Sequence, residues 1–161
     1  MAKQIKTNVL RHLDAARIPY ETREYAVDEE HLDGVTAAAK LGLDPDMVYK
    51  TLVLCDDRSG HLVCVIPVAK ELDLKAVARA SGHKSVSMLP MKELLPLTGY
   101  MRGGCSPIGM KKPFPTFIQE EAEILDRIAV SAGVRGCQVI LQPKDLKDQT
   151  GAVYASLCRE E

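Results

Sequence analysis

A single charged residue, Lys50, interrupts the otherwise apolar stretch Met47 to Cys55, whose composition is typical of a β-strand. Side chains alternate between the two faces of a strand, so Lys50 shares a face with Leu52 and Leu54. One interpretation is a lysine at a strand end whose ammonium group reaches solvent past the core. The other is a cation placed to bind a carbonyl or phosphate oxygen. The residues of this stretch leave both interpretations open.

A second candidate is the stretch Thr98 to Lys112, which we call the glycine-rich loop. It has four glycines, which permit left-handed backbone or a close approach to a bound group, and Pro107, which restricts the backbone. Lys111 and Lys112 follow at once, where they could meet an anion. A tight turn between two elements explains the same composition, because Gly and Pro mark turns more often than sites.

The third candidate is the segment Val130 to Gly136, in which small residues follow an apolar run. We expect Ser131 and the amides after it at a sheet edge, and Arg135 could bind an anion with two hydrogen bonds. A structural turn is again the alternative. Nucleophile-elbow, HExxH and Walker patterns do not occur in the sequence, and the histidines and cysteines lack the spacing of a zinc site. We therefore expect neither a metal ion nor a cofactor.

Composition limits the function classes. The formal net charge is -1, which argues against a protein that binds nucleic acid over a broad basic surface. The sequence has no Trp and two Phe, so aromatic platforms for stacked bases are not expected. The five cysteines are an odd number without a CxxC pair, which is typical of reduced thiols. The first residues lack the apolar core of a signal peptide, and no later stretch resembles a membrane span, so we expect a cytosolic protein.

Hydrophobic periodicity and turn residues predict short helices and strands in irregular alternation. Predicted helices begin with an amphipathic one that includes Ile5, and continue at 35–41, 73–80, 91–97 and 143–150. Predicted strands are 20–27, 47–55, 61–67, 85–88, 115–119, 127–131 and 137–141, and 152–157 follows the last helix. The segments 47–55 and 61–67 form a hairpin. The sequence thus predicts an α+β fold, with residues 1–161 as a single domain around a largely antiparallel, barrel-like sheet.

Four segments resemble, in order, the YbaK family of free-standing aminoacyl-tRNA deacylases, which are related to the editing domain of bacterial prolyl-tRNA synthetase. They are Val48-Tyr-Lys-Thr-Leu-Val-Leu54, Leu72-Asp-Leu-Lys75, the glycine-rich loop, and Val130-Ser-Ala-Gly-Val-Arg-Gly136. The likeness runs from about Val9 to Leu157. It implies a trans-editing enzyme that hydrolyses the ester of mischarged tRNA, most characteristically Cys-tRNA(Pro), with prolyl-tRNA synthetase as a second expected partner.

The resemblance also implies site residues. Lys50 is the principal functional residue, and Gly103 begins a Gly-x-x-x-Pro loop whose backbone would hold the aminoacyl-adenosine end. The implied substrate-binding residues are Tyr25, Thr51, Gly103, Gly104, Ser106, Pro107, Ser131, Gly133 and Arg135. For a cysteinyl substrate the implied mechanism is attack by the substrate's own thiol, which needs positioning and charge stabilisation more than an enzyme nucleophile.

Two alternatives remain at this stage. The chain could be a deacylase of the same fold that acts on another mischarged tRNA, such as Ala-tRNA(Pro). It could also be a non-catalytic module that binds an aminoacyl or nucleotide end. Ala132 and Val134 stand where the family often has Gly and Lys, which removes one basic contact from the pattern. Cys105 lies inside the loop, but no neighbouring residue in the sequence would activate it as a nucleophile.

Overall fold

Two β-sheets carry the fold, and the computed structural model describes the chain over residues 6–28 and 30–160. In chain order the strands are β1 (Glu21–Glu24), β2 (Tyr49–Cys55), β3 (His61–Pro67), β4 (Ser87–Met88), β5 (Thr116–Gln119), β6 (Ile128–Ser131), β7 (Cys137–Leu141) and β8 (Val153–Ala155). One sheet has the order β1, β7, β6, and the other has the order β4, β2, β3, β5, β8.

Five α-helices and one 3₁₀ turn connect the strands of the described chain. They are α1 (Asn8–Ala15), α2 (Gly34–Leu41), α3 (Leu74–Ser81), α4 (Met91–Thr98), the 3₁₀ turn Glu120–Ile124 and α5 (Pro143–Thr150). These bounds confirm the predicted order of elements. Ile5, which the periodicity predicts on the first helix, lies outside the described residues.

Local capping explains where the helix that borders the site begins and ends. The Asp33 side chain accepts a hydrogen bond from the Thr36 N–H at 2.8 Å and so satisfies a free amide at the start of α2. The helix ends at Gly42, whose φ of 68° is the left-handed conformation that glycine adopts without strain. Asp73 caps α3 in the same way, through the Lys75 and Ala76 amides.

Strand pairing agrees with the predicted α+β class and adds parallel pairs that local patterns could not indicate. Strands β2 and β3 form the predicted antiparallel hairpin, and β1, β7 and β6 are also antiparallel. Strands β3, β5 and β8 are parallel neighbours. Parallel neighbours need long crossovers, and here each crossover contains helices and other strands.

Strand β2 links the two sheets. Its full length pairs with β3, and the preceding residue Val48 forms a parallel bridge with Ala129 at β6. Tyr49 and Val53 face the main core, which α1 also fills. Leu52 and Leu54 face the opposite side, where a separate cluster packs under α3. The site described next lies along this strand.

No helix in residues 6–28 and 30–160 is long and apolar enough to cross a membrane.

Candidate active site

One edge of β2 is largely uncovered. On that edge β4 pairs only with Leu54 and Cys55, and β6 meets only Val48. The Val53 carbonyl accepts from the Leu89 N–H across this edge, whereas the Val48 carbonyl accepts from Val68 on the β3 side. Peptide groups of an antiparallel strand alternate between its edges, so those of Tyr49 and Thr51 point to the uncovered edge.

A cavity of about 380 Å³ lies along this uncovered edge. Residues 48–53 form its floor, the start of α2 and the end of β1 form one wall, and β4 with α4 forms the other. The glycine-rich loop approaches the cavity through Arg102, Gly103 and Cys105. Parts of the sequence from Tyr25 to Gln138 therefore meet at one concave site, as expected for a small-molecule site.

Lys50 lines the cavity and is partly buried. On its face of β2, Val48 packs in the cluster under α2 and Leu54 in the cluster under α3, so Lys50 lies between them. The positive charge of Lys50 also affects Cys158. Burial raises the pKa of the Cys158 thiol to about 11, and the charges of Lys70 and Lys50 oppose that rise. The structure thus places this charge on a sheet face beside a cavity, between two apolar clusters.

Three buried side-chain atoms without a hydrogen-bond partner belong to residues that line this cavity. They are the hydroxyl oxygens of Tyr49 and Thr51 and the side-chain oxygen Oε1 of Gln138. Gln138 is 7% exposed. A buried polar atom without a partner costs about 1–3 kcal/mol, so such atoms are uncommon unless a ligand satisfies them.

Ser131 and Tyr25, which the resemblance implies as substrate-binding residues, also line the cavity. Ser131 is the cross-strand neighbour of Gln138 in the β6–β7 pair, and its Oγ accepts from the Gly133 N–H at 3.1 Å. Tyr25 directly follows β1, and its N–H donates to the Gly136 carbonyl at 2.9 Å. The structure thus brings Tyr25, Lys50, Thr51, Gly103 and Ser131 to one cavity.

The remaining predicted residues of the glycine-rich loop lie behind the cavity wall. Gly104, Ser106 and Pro107 are buried, and the Ser106 Oγ accepts from the Ile108 N–H at 3.3 Å. A Cβ on Gly104 would lie 3.0 Å from the Arg135 backbone nitrogen, so this glycine permits two loops to pack closely. These three residues determine the shape of the loop that presents Gly103.

Gly133 and Arg135 hold the two loops together rather than lining the main cavity. A Cβ on Gly133 would meet Val9 at 3.0 Å, and its φ is 100°. The Arg135 Nε donates to the Arg102 carbonyl at 2.7 Å. Arg135 lines only a much smaller pocket beside Tyr25.

The pKa values of two residues that line the cavity show that one is charged near pH 7 and the other is neutral. Asp33 lines the cavity, and hydrogen bonds from the Thr36 N–H and hydroxyl lower its pKa, so it is ionised at neutral pH. Burial raises the pKa of the Cys105 thiol to about 12. A thiol with that pKa remains protonated near pH 7, and a protonated thiol is a poor nucleophile.

A cluster of Asp56, Asp57 and His83 lies on the β2–β3 hairpin, away from the cavity. Most of the atoms of this cluster that could bind a metal ion already form contacts within the protein. The Asp56 Oδ1 accepts from the Arg58 and Gly60 amides, and the Asp57 carboxylate accepts from the Lys84 amide and contacts His83 at 2.9 Å. These contacts fix the hairpin against the end of α3.

Sequence reasoning missed several residues that line the cavity. Gln138 is the one polar residue in β7, and that break in an apolar run was its only signal. Asp33 falls in a polar connection before the predicted helix 35–41, and that position gave no indication of a site. The apolar wall formed by Met88, Leu89, Met91 and Leu94 gave no local signal, because each residue also suits an ordinary helix or strand.

Comparison with known proteins gives concordant findings. Residues 29–149 match the family described as "Aminoacyl-tRNA editing domain". An Enterococcus faecalis protein named "Putative Cys-tRNA(Pro)/Cys-tRNA(Cys) deacylase EbsC" is 46% identical over 158 residues, which are 98% of this chain and 96% of that protein.

Two solved structures have the same fold at lower identity. The crystal structure of "a putative trans-editing enzyme for prolyl tRNA synthetase" has a TM-score of 0.80 at 21% identity, and covers 98% of this chain and 100% of that one. The structure of "hypothetical protein APE2540" has a TM-score of 0.86 at 23% identity, and covers 95% of this chain and 100% of that one. At these identities the likeness concerns the fold.

Proposed function

This chain belongs to the aminoacyl-tRNA editing domain family, and from that membership we propose that it deacylates mischarged tRNA, with Cys-tRNA(Pro) as its principal substrate. The observation that carries the proposal is the position of Lys50 at a cavity where Thr51 and Gln138 present buried oxygen atoms without protein partners. An aminoacyl ester offers both kinds of complement: a carbonyl oxygen for the cation, and an ammonium group for the acceptors.

We assign the site residues as follows. The Lys50 ammonium stabilises the negative charge that develops on the ester oxygen or on an attacking thiolate. The Gln138 Oε1 and the Asp33 carboxylate face the substrate's α-ammonium group. Gly103, which lines the cavity, brings the loop backbone close to the aminoacyl ester.

The proposed reaction uses the thiol of the substrate. The cysteinyl sulfur attacks its own ester carbonyl, a C–S bond forms, and the C–O bond to the ribose breaks. The proton lost by the thiol is taken up by the departing ribose oxygen. Water then opens the cyclic thioester and gives free cysteine. Positioning of this kind can supply a large part of a rate enhancement without an enzyme nucleophile.

We propose that residues 1–161 act as one editing domain in the cytosol, and that little of the tRNA body is bound. The formal net charge of -1 is low for a protein that binds a long stretch of phosphates. Selection of tRNA(Pro) would then depend on association with prolyl-tRNA synthetase. The relative's name includes Cys-tRNA(Cys), which is the expected second substrate if the tRNA body is not read.

A comparison of matched substrates tests the reaction. One tRNA(Pro) is charged with Cys, Ser or Ala, and tRNA(Cys) is charged with Cys, and single-turnover rates are measured at several pH values. The cysteinyl esters should be cleared much faster than the seryl ester, because a thiol ionises far more readily than a hydroxyl. Binding cannot account for a large gap, since the change from sulfur to oxygen is nearly isosteric and worth only about 1–3 kcal/mol. Equal cysteinyl and seryl rates would indicate a water nucleophile instead. Preference for the alanyl ester, or binding without turnover, would overturn the proposed substrate or activity.

A further inference from the structure

Gly34 is the first residue of α2, and close packing explains a glycine at this position better than backbone conformation does. Its φ is not in the left-handed range, so other residues could adopt the same backbone. Glycine is also one of the poorest helix formers. A Cβ at this position, however, would lie 2.7 Å from the Val68 Cβ and closer still to the Val68 Cγ1. Because carbon atoms in contact are normally about 3.5–4.0 Å apart, even an alanine would not fit without a displacement.

Val68 is held in place on the other side of this contact. It directly follows β3, its N–H donates to the Val48 carbonyl at 2.9 Å, and its side chain is 6% exposed. It packs in the apolar cluster that also contains Val48 and Ala38 of α2. An atom added to such a closely packed contact shifts the less restrained element. Here that element is the start of α2, which follows a largely exposed connection.

The start of α2 carries one of two opposite charges at the cavity. The cavity lining includes Asp33, Gly34, Lys50 and Val68. Within the part of the chain that the structure describes, neither Asp33 nor Lys50 belongs to an ion pair. Opposite charges at one site attract each other, so they stay apart only where the elements that carry them are fixed. Pairing with β3 fixes Lys50, and the contact between Gly34 and Val68 fixes the helix that Asp33 caps.

We propose that Gly34 is a positioning residue for deacylation. Its contact with Val68 places the Asp33 carboxylate so that one substrate can present its α-ammonium group to Asp33 and its ester carbonyl to Lys50. This inference rests on the proposed function for its substrate. Its consequence is a preference for a free α-ammonium group, which N-acetylation of the cysteinyl ester removes.

The test compares Cys-tRNA(Pro) with N-acetyl-Cys-tRNA(Pro), which keeps the thiol and the ester but lacks the positive charge. The parent should have a kcat/KM about tenfold or more higher for the free amine, because hydrogen bonds between charged groups are strong. Gly34→Ala should lower this ratio about tenfold, since a misplacement of about 1 Å can cost up to about 10²-fold in rate. A variant that is only less stable would lose activity on both substrates alike and keep the ratio.

Gly60→Ala is the matched control. The φ of Gly60 is also outside the left-handed range, and an added Cβ would lie 2.5 Å from the Asp56 Oδ2. Gly60 belongs to the β2–β3 hairpin and does not line the cavity. This variant should unfold at a lower urea concentration than the parent and keep the parental ratio.

A size swap keeps the test decisive if Gly34→Ala alone does not fold. Val68→Gly removes the side chain that the new Cβ would meet, and should by itself loosen α2 and lower the ratio. The double variant Gly34→Ala/Val68→Gly moves the Cβ from one side of the contact to the other. Its ratio should therefore be higher than that of Val68→Gly alone.

Asp33→Asn tests whether Gly34 acts through Asp33. Asparagine caps helices as well as aspartate does but carries no charge, so this variant should fold and lose the preference. In that background Gly34→Ala should lower the ratio no further, because both changes remove the same interaction.

Five outcomes would overturn the inference in an active protein. They are a parental ratio near one, an unchanged ratio in Gly34→Ala, an equal loss in Gly60→Ala, no recovery in the double variant, and independent effects of Asp33→Asn and Gly34→Ala. A parent protein inactive on Cys-tRNA(Pro) would overturn the proposed function, and this inference with it.

Discussion

Strand β2 and the glycine-rich loop face each other across the cavity, and they differ in how their polar groups are satisfied. The loop uses its own groups: the Gly104 N–H donates to the Met101 carbonyl at 2.9 Å, and the Tyr100 hydroxyl donates to the Ile108 carbonyl. On β2, by contrast, the Thr51 hydroxyl has no partner, and the strand edge toward the cavity is largely uncovered.

From this difference we infer that β2 provides groups that recognise a ligand, whereas the loop mainly determines the shape of the cavity. A strand held by β3 along its full length is rigid, and its unsatisfied groups are fixed in place for a ligand. The loop, whose backbone groups bond to one another and to the side chains of Asn8 and Arg135, has little left to offer except the surface of Gly103 and the side chains of Arg102 and Cys105. We therefore expect changes on β2 to affect turnover and most changes in the loop to affect stability.

The largest expected effect is that of Lys50→Ala on β2. Loss of a preorganised charge at the reacting ester should lower the deacylation rate by about 10²–10³-fold. Circular dichroism and single-turnover kinetics with Cys-tRNA(Pro) measure folding and rate on the same sample. Lys70→Ala is the matched control, because Lys70 is also a partly buried lysine, three residues after the end of the neighbouring strand β3, but does not line the cavity. Nearly parental activity of the Lys50 variant would show that the charge on β2 takes no part in the reaction.

The next effect tests the one glycine of the loop that borders the cavity. Gly103 has a φ of 84°, so Gly103→Ala should cost about 1–2 kcal/mol in backbone strain. Gly42→Ala provides the control: its φ is 68°, and no atom lies within 4 Å of the added Cβ. Urea unfolding should show similar losses for both variants. Only Gly103→Ala should also lower kcat/KM, by about tenfold, because a small displacement at the ester costs rate. Equal kcat/KM values for the two variants would make the loop a turn without a functional surface.

The sequence predicted the elements well because their signals are local. Asp33 and Gly42 mark the two ends of α2, and the apolar alternation of β2 identifies Lys50 as an exception. The uncovered edge of β2 could not be predicted, since it depends on how little of that edge β4 and β6 cover after long-range pairing. The apolar wall of Met88, Leu89, Met91 and Leu94 could not be predicted for the same reason.

The sequence could not show which predicted site residues line the cavity and which only support the loops around it. Gly103 and Gly104 are adjacent and of the same type, yet one lines the cavity and the other permits two loops to pack. Their difference depends on Val134 and Arg135, which are 30 and 31 residues from Gly104 along the chain. Ser131 and Ser106 differ in the same way, because only Ser131 faces the cavity.

A smaller effect is expected for Gln138→Met, which removes the unpartnered oxygen at similar volume. Because no protein group bonds to Oε1, and a buried unpartnered oxygen costs about 1–3 kcal/mol, the free energy of unfolding should rise by up to that amount, while kcat/KM should fall about tenfold. Gln119→Met is the opposite case: the Gln119 Oε1 accepts from the Leu157 and Cys158 amides at 2.7 and 3.1 Å. It should lose about 1–3 kcal/mol of stability with kcat/KM retained. The prediction fails if both variants change the same quantity in the same direction.

The smallest effect is expected in the loop, for Cys105→Ala. Burial raises the pKa of this thiol to about 12, so between pH 6 and 9 it stays protonated and cannot act as a thiolate. A free cysteinyl thiol has a pKa of about 8.5, so the rate governed by the substrate should rise with pH and level off near that value. The variant should therefore keep the parental pH profile and a rate within about threefold of the parent, because about 1 kcal/mol or less separates such rates. Alkylation of Cys105 by iodoacetamide at pH 8 should likewise be slow. Complete loss of activity in a folded Cys105→Ala variant would identify an enzyme nucleophile, and would transfer the chemistry from β2 and the substrate to the loop.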